Sequence, residues 1–352
     1  MKKNKTQTKI IRDFILENIT EHSHDISQFA AKEFKISRQA ILRHIHYLIQ
    51  NGLIIFKGIT HNRKYSLSNI ESYYAKKTLS GLEEDKVWRE ELLPKLKNIP
   101  SNILNICQYG FTEMINNAID HSGSENIIIS LNRTAINIGI EIIDNGIGIF
   151  NKIQKDLNLD NPITSILELS KGKLTTDPVH HTGEGIFFTS RMFDDYSILS
   201  GNLYFSHTEK EEGIGGSDWL LENKKIKKEG TYISMVIDLK SSRTTKIVFD
   251  NYSDSEEYGF TKTVVPVFLA QYGKENLISR SQAKRLLIRF EKFNEIVLDF
   301  KKVNMIGQSF ADEIFRVFAT AHPGNRLIPI NANEEVSKMI RRAQEASRMI
   351  KP

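Results

Sequence analysis

Residues 101–149 set a long helical stretch, two isoleucine-rich strands and a glycine corner in one fixed order, and that order is the tightest constraint on the fold. Helical spacing runs through 101–121 and includes the segment GFTEMINNAIDHSG. Glu113 and Asn117, four residues apart, share one helix face, with His121 a turn further on. Residues 125–131 and 137–143 then read as consecutive strands. The second runs directly into Asp144-Asn145-Gly146-Ile147-Gly148-Ile149, where the glycines permit backbone conformations and close approaches closed to other residues. Taken singly, the E-x-x-x-N spacing also describes any surface helix, and D-x-G-x-G any turn.

Two further elements lie downstream. His181-Thr182-Gly183-Glu184-Gly185-Ile186 opens an apolar segment, 186–193, and glycines opening a helix present backbone N–H groups to phosphate. Gly230-Thr231 precedes a strand at 232–239. The residue types suit a magnesium nucleotide. Magnesium needs oxygen ligands in octahedral array, and the Asn117 amide adds one without over-neutralising an ion already held by phosphates. Glu113 can orient or deprotonate a nucleophile attacking a terminal phosphate. Asp144 can accept the exocyclic amino hydrogen of adenine, with Thr231 hydrogen-bonding it directly or through water.

Residues 96–240 thus resemble the GHKL (Bergerat-fold) ATPase superfamily, which includes DNA gyrase, heat-shock-90 chaperones, mismatch-repair MutL, histidine kinases and anti-sigma-factor kinases. EMINNAIDH is most similar to the anti-sigma-factor kinase form. The resemblance implies a helix-on-sheet sandwich binding ATP and Mg2+. It makes Asn117 the magnesium ligand, Glu113 the catalytic base and Asp144 the adenine reader. Gly146, Gly148, Gly183 and Gly185 shape the phosphate cradle, with Thr182, Glu184 and Thr231 among the ATP-binding residues. The segment 150–183 becomes a mobile lid, with a short helix at 163–169 and with Lys171, Lys173, His180 and His181 as candidates to approach phosphates. No Walker-type lysine motif is present.

Residues 1–70 carry twelve Lys/Arg against five Asp/Glu, whereas the other 282 residues carry 36 against 38. A basic front on a near-neutral body points to a polyanion partner for this segment. Ile10, Ile11, Phe14, Ile15 and Ile19 make one amphipathic helix, and a second starts at Asp25 with Gln28 as its capping-box partner. A third is capped by Ser37, buries Ile41, Leu42, Ile45, Leu48 and Ile49, and stops at Asn51-Gly52. Its other face shows Arg38, Gln39, Arg43, His46 and Tyr47. A strand at 53–56, a basic turn at 58–64 and a strand at 65–67 follow. This order resembles a winged helix-turn-helix of bacterial regulators. The resemblance implies a major-groove helix bearing Arg38, Gln39 and Arg43 and a wing bearing His61, Arg63 and Lys64 against phosphates; winged helices also mediate protein contacts. His44 and His46 are spaced too closely to share a metal-binding face.

Residues 71–95 read as a charged connector with helical stretches. After a polar stretch at 241–257, residues 245–352 alternate helix and strand: helices at 282–290, 309–321 and 334–349, strands at 295–300 and 326–330. IVLDFKKVNMIGQSFADEIF resembles the STAS fold of anti-sigma-factor antagonists, and more closely the STAS-like domains found beside GHKL ATPases. Gly307 and Gln308 stand where the antagonists carry an aspartate and a phosphorylatable serine, so Ser309 is expected to cap the helix.

The chain as a whole reads as an α+β multidomain protein. It contains no run of 18 apolar residues, and its amino terminus lacks a short apolar signal core, so a cytoplasmic location without membrane contact is expected. The single Cys107 reads as a small buried hydrophobe. The expected function is an ATP-switched, DNA-binding regulator, with a regulatory protein partner at the STAS-like domain and a homodimer as one assembly. Two alternatives are a protein serine kinase of the anti-sigma-factor type and an ATP-driven dimerising machine.

Overall fold

A computed structural model describes residues 2–59, 62–174, 183–209, 217–222, 228–253, 259–271 and 275–348. The described residues form a mixed α/β structure with three sheets. Helices α1 (Lys2–Asn18), α2 (Ile26–Phe34) and α3 (Arg38–Gln50) precede the antiparallel pair β1 (Ile54–Lys57) and β2 (Lys64–Leu67). Ile15, Ile26, Ile41, Ile45 and Leu48 form a core of their own, against which Ala135 and Ile136 pack. Ser37 caps α3 as expected, its Oγ accepting the Ala40 N–H at 3.2 Å. Asp25 stands at the start of α2 but makes no capping bond. Its carboxylate is instead paired with His22 at 3.2 Å.

The connector has helical turns as expected, from α4 (Glu84–Val87) through Lys95, but its first part is an unexpected strand, β3 (Glu71–Thr78). Among the described residues β3 pairs only with the next strand, and such an edge position tolerates Glu71, Lys76 and Lys77. Helix α5 (Ser101–His121), β4 (Asn126–Arg133), β5 (Asn137–Asp144), α6 (Ile149–Asp156), α7 (Pro162–Lys171) and α8 (Gly185–Met192) follow. Next come β6 (Asp195–Gly201), β7 (Leu203–Thr208), β8 (Ser217–Glu222) and β9 (Lys228–Asp238). Local pattern does not single out β6–β8, whose serines and His207 break the apolar alternation.

All seven strands join one antiparallel sheet in the order β3-β4-β5-β9-β6-β7-β8. Alternate residues of β4 and β5 are buried, so one face lies under helices while the other carries polar side chains. Ile103, Phe111, Met114 and Ile115 of α5 meet Ile127, Ile129, Ile140 and Met235 in that layer.

Helix α9 (Thr245–Tyr252), capped by Thr244, lies inside the polar stretch 241–257, for which no helix is expected. It buries Val248 and Tyr252, too few apolar positions to register as a period. β10 (Lys262–Pro266), α10 (Arg280–Leu287), β11 (Glu295–Asp299), α11 (Gln308–Asp312), α12 (Ala319–Ala321), β12 (Arg326–Ile330) and α13 (Glu334–Arg348) complete the chain. The parallel sheet runs β10-β11-β12. Ser309 does not cap α11. Gly307 takes the cap position with no side-chain bond, and Ser309 lies exposed in the first turn. Among the described residues no helix is long and apolar enough to cross a membrane.

Candidate functional site

A cavity of about 440 Å³ lies between α5, the corner after β5, α6, the end of α7, the start of α8 and β9. Glu113, Asn117, Asp144, Gly183, Gly185 and Thr231 all line it. Residues far apart in sequence therefore converge on one space.

Asp144, 5% exposed at the end of β5, organises one end. Its Oδ1 accepts the Gly146 N–H at 2.8 Å and the Thr231 N–H at 3.3 Å, while the Thr231 hydroxyl accepts the Ile149 N–H at 3.1 Å. The Ile147 N–H bonds the Ser122 carbonyl at 2.9 Å, which ties the corner to the end of α5. Gly146 and Gly148 build this corner and carry Asp144 and Ile149 into the wall. A Cβ on Gly146 would sit 1.9 Å from the Ser122 carbonyl oxygen. At Gly230, where φ is +71°, a Cβ would lie 2.0 Å from the Asp144 carbonyl oxygen. Both positions admit only glycine without backbone movement.

At the other end, α8 opens against α5. A Cβ on Gly185 would lie 2.0 Å from Glu113 Oε2, so the first turn of α8 touches the carboxylate. Asn117, one turn beyond Glu113, has a buried Nδ2 with no hydrogen-bond partner among the described residues. A buried amide donor left unpaired costs about 1–3 kcal/mol, a cost that folds tolerate mainly where a ligand or water completes the bond. Burial, then the neighbouring Glu113 and Glu184, push the Tyr109 phenol well above its usual range. Glu184 itself is raised by burial, against the pull of Lys173.

Lys152 and Asp156 of α6 also line the cavity, 2.8 Å apart as an ion pair. Neither stands out in the sequence, although an i,i+4 pair directly after a glycine corner is a usable signal. Lys171, expected to approach a phosphate, is fully buried and bonded to Glu168 Oε1 at 2.6 Å. Lys173 donates to the Lys292 carbonyl at 2.9 Å, so the structure turns it toward the C-terminal region. Thr182, His180 and His181 lie outside the described residues. Among the described residues no three His, Cys, Asp or Glu side chains converge as a metal cluster.

In the N-terminal region, Arg38, Gln39 and Arg43 are exposed on α3 and Lys64 on β2. The Arg38 Nε donates to Ser27 Oγ at 3.0 Å. Arg63 stacks over the Phe56 ring, 4.4 Å from its centroid; His61 lies outside the described residues. Burial, with help from Arg12 and Arg43, lowers the His44 imidazole, which fits a helix face crowded with cations.

Comparison with curated proteins finds no match to this chain. Its residues 282–337 match the family model of a STAS-like domain of unknown function (DUF4325).

Proposed function

We propose that the cavity binds ATP with magnesium in the manner of GHKL ATPases, and that occupancy switches a DNA-binding winged helix formed by residues 1–70. The observation that carries the nucleotide reading is the convergence of Asp144, the orphaned Asn117 amide and the Gly185–Glu113 contact on one cavity. Its volume falls within the roughly 300–1,000 Å³ typical of small-molecule sites. The residues suit the group: an acidic acceptor at one end, and a helix start with an unsatisfied amide at the other.

Asp144, held by the Gly146 and Thr231 N–H groups, presents a carboxylate acceptor to an adenine amino group. Asn117 would hold magnesium through its amide oxygen, leaving the buried Nδ2 to donate to a phosphate oxygen. Gly183 and Gly185 let the backbone N–H groups of α8 approach phosphate, favoured by the helix dipole. Glu113 holds the proton of an attacking water at its carboxylate. When bound, the magnesium nucleotide contributes a terminal phosphoryl group that can be transferred.

Transmission to the N-terminal region has a physical basis in β9. This strand carries Thr231 at the cavity and ends at Asp238, shortly before Lys240, whose Nζ pairs with Glu17 Oε1 of α1 at 2.6 Å. Ala135 and Ile136 of the β4–β5 turn pack on the same N-terminal core. A shift in the sheet therefore reaches α1 directly. The exposed cations of α3 and β2 would meet DNA phosphates and base edges.

DNA retention with and without ATP, for wild type and Asp144→Asn, tests the switch. The reading requires an ATP-dependent difference in wild type alone; equal retention in all four conditions removes it. Exposure of Ser309 within the STAS-like match favours a second reading, a protein serine kinase of the anti-sigma-factor type. Radiolabelled transfer lost in Glu113→Ala would support that reading, and intact-mass spectra without phosphoprotein would oppose it.

A further inference from the structure

Helix α7 ends at Lys171, three residues before Leu174 of the cavity wall, and is buried along Ile163–Lys171. Its far side is held by the C-terminal region through a cluster of charges. Lys171, fully buried, donates to Glu168 Oε1 at 2.6 Å and to the Ile288 carbonyl at 2.9 Å. Arg289, with φ +66° just past α10, reaches back across the same junction. Its Nη1 donates to Glu168 Oε2 at 3.1 Å, and its Nη2 to the Gly172 carbonyl at 2.5 Å. The Thr263 hydroxyl of β10 donates to the Lys171 carbonyl at 2.8 Å.

Two residues after Gly172, the Leu174 N–H donates to the Gly183 carbonyl at 2.9 Å. Leu169, Leu174 and Gly183 all line the cavity. The path from the Arg289 guanidinium to the cavity wall is thus one hydrogen bond and two residues long. Gly172 sits at φ +79°, where a Cβ would lie 2.5 Å from the Phe260 ring, so the chain there has little freedom to relax independently.

Buried ion clusters add little net stability, because desolvation offsets much of their attraction. Their effect here is geometric: one guanidinium, through two separate acceptors, joins a helix end to the residue that follows it. We propose that Arg289 is a positioning residue for the cavity: from the C-terminal unit it fixes the end of α7 and Gly172, and so couples occupancy of the cavity to that unit. This rests on the nucleotide reading above. By linkage, whatever the C-terminal unit does to the wall, a ligand held by the wall does to the C-terminal unit.

The test uses the full chain and a nonhydrolysable ATP analogue with Mg2+. Calorimetric titration of wild type, Arg289→Met and Arg289→Lys is combined with hydrogen exchange of wild type. The expected results are about tenfold weaker binding in Arg289→Met, partial recovery in Arg289→Lys, and analogue-induced protection of amides 288–293 in wild type. A purely structural role would lower the melting temperature without ligand-dependent protection at 288–293. Wild type that binds the analogue with no protection there, or Arg289→Met binding within twofold of wild type, overturns the coupling. Should Arg289→Met fail to fold, the wild-type exchange result decides alone. Absence of wild-type binding would instead overturn the nucleotide reading, and this inference with it.

Discussion

Gly185→Ala separates what the fold needs from what the proposed ligand needs. The added Cβ would lie 2.0 Å from Glu113 Oε2, 2.9 Å from Cδ and 3.4 Å from Cβ. The obstruction is the end of a flexible side chain, so the carboxylate must retreat by roughly 1.4 Å, from 2.0 Å to an ordinary contact of about 3.4 Å. A rotamer adjustment of that kind costs about 0.5–1.5 kcal/mol. Replacing glycine in a helix returns up to ~1 kcal/mol through the unfolded state. The net change is therefore within about 1 kcal/mol, a melting shift of roughly 2–4 °C at most. Gly230→Ala makes the contrast. Its methyl would meet the Asp144 backbone oxygen at 2.0 Å at φ +71°, so backbone must move and the loss should exceed ~2 kcal/mol. Nucleotide affinity should nonetheless fall about tenfold or more in Gly185→Ala, since the methyl enters the cradle and displaces Glu113. Thermal melts and calorimetry on the same samples check both halves. Equal destabilisation of the two variants, or unchanged nucleotide binding in Gly185→Ala, would refute the reasoning.

Further outcomes follow from other residues. Asn117→Leu removes a buried unpaired donor and should stabilise the ligand-free chain by roughly 1 kcal/mol, while abolishing any nucleotide-induced rise in melting temperature; a destabilised variant would mean that the amide is satisfied in solution. His207 is buried between Asp218 at 2.8 Å and Glu209 at 3.0 Å. Burial opposes its charge, but the two carboxylates outweigh burial and raise the imidazole above 6.5. A raised folded value means stabilisation fully present below pH 6.5 and lost as pH climbs through the folded value. The melting difference between wild type and His207→Gln should therefore shrink on moving from mildly acidic to alkaline buffer, and a constant difference would count against the charged pair. Arg43→Ala should weaken DNA retention across sequences and reduce the salt slope by about 1 if it contacts phosphate; unchanged retention would take α3 out of the interface.

Local chemistry made Asp144, Gly146, Gly148 and Thr231 visible, because a glycine corner after a strand is written in consecutive residues. Glu113 and Asn117 were visible for the same reason, through one helical spacing. What could not be read depends on packing between distant segments. Lys171 looks like any loop cation until α7 is placed against Arg289, and only then does burial with Glu168 remove it from the cavity. Lys152 and Asp156 acquire a location only when α6 packs against α7 and brings them to the cavity wall. β3 hides behind Glu71, Lys76 and Lys77, charges that an edge strand accepts and a central strand would reject. Asp25 and Ser309 had suitable identities for helix caps, yet His22 engages the first and Gly307 takes the cap position before the second.

The most direct measurement is calorimetric titration of the full chain with a nonhydrolysable ATP analogue, with and without Mg2+, in wild type and Asp144→Asn. Asparagine retains an oxygen for the Gly146 and Thr231 N–H groups but sets an amide donor where the adenine amino group would need an acceptor. An adenine-reading Asp144 predicts one magnesium-dependent site per wild-type chain, lost in a variant that melts as wild type does. A wild-type chain that binds no adenine nucleotide, or an Asp144→Asn chain that binds it equally well, would contradict it.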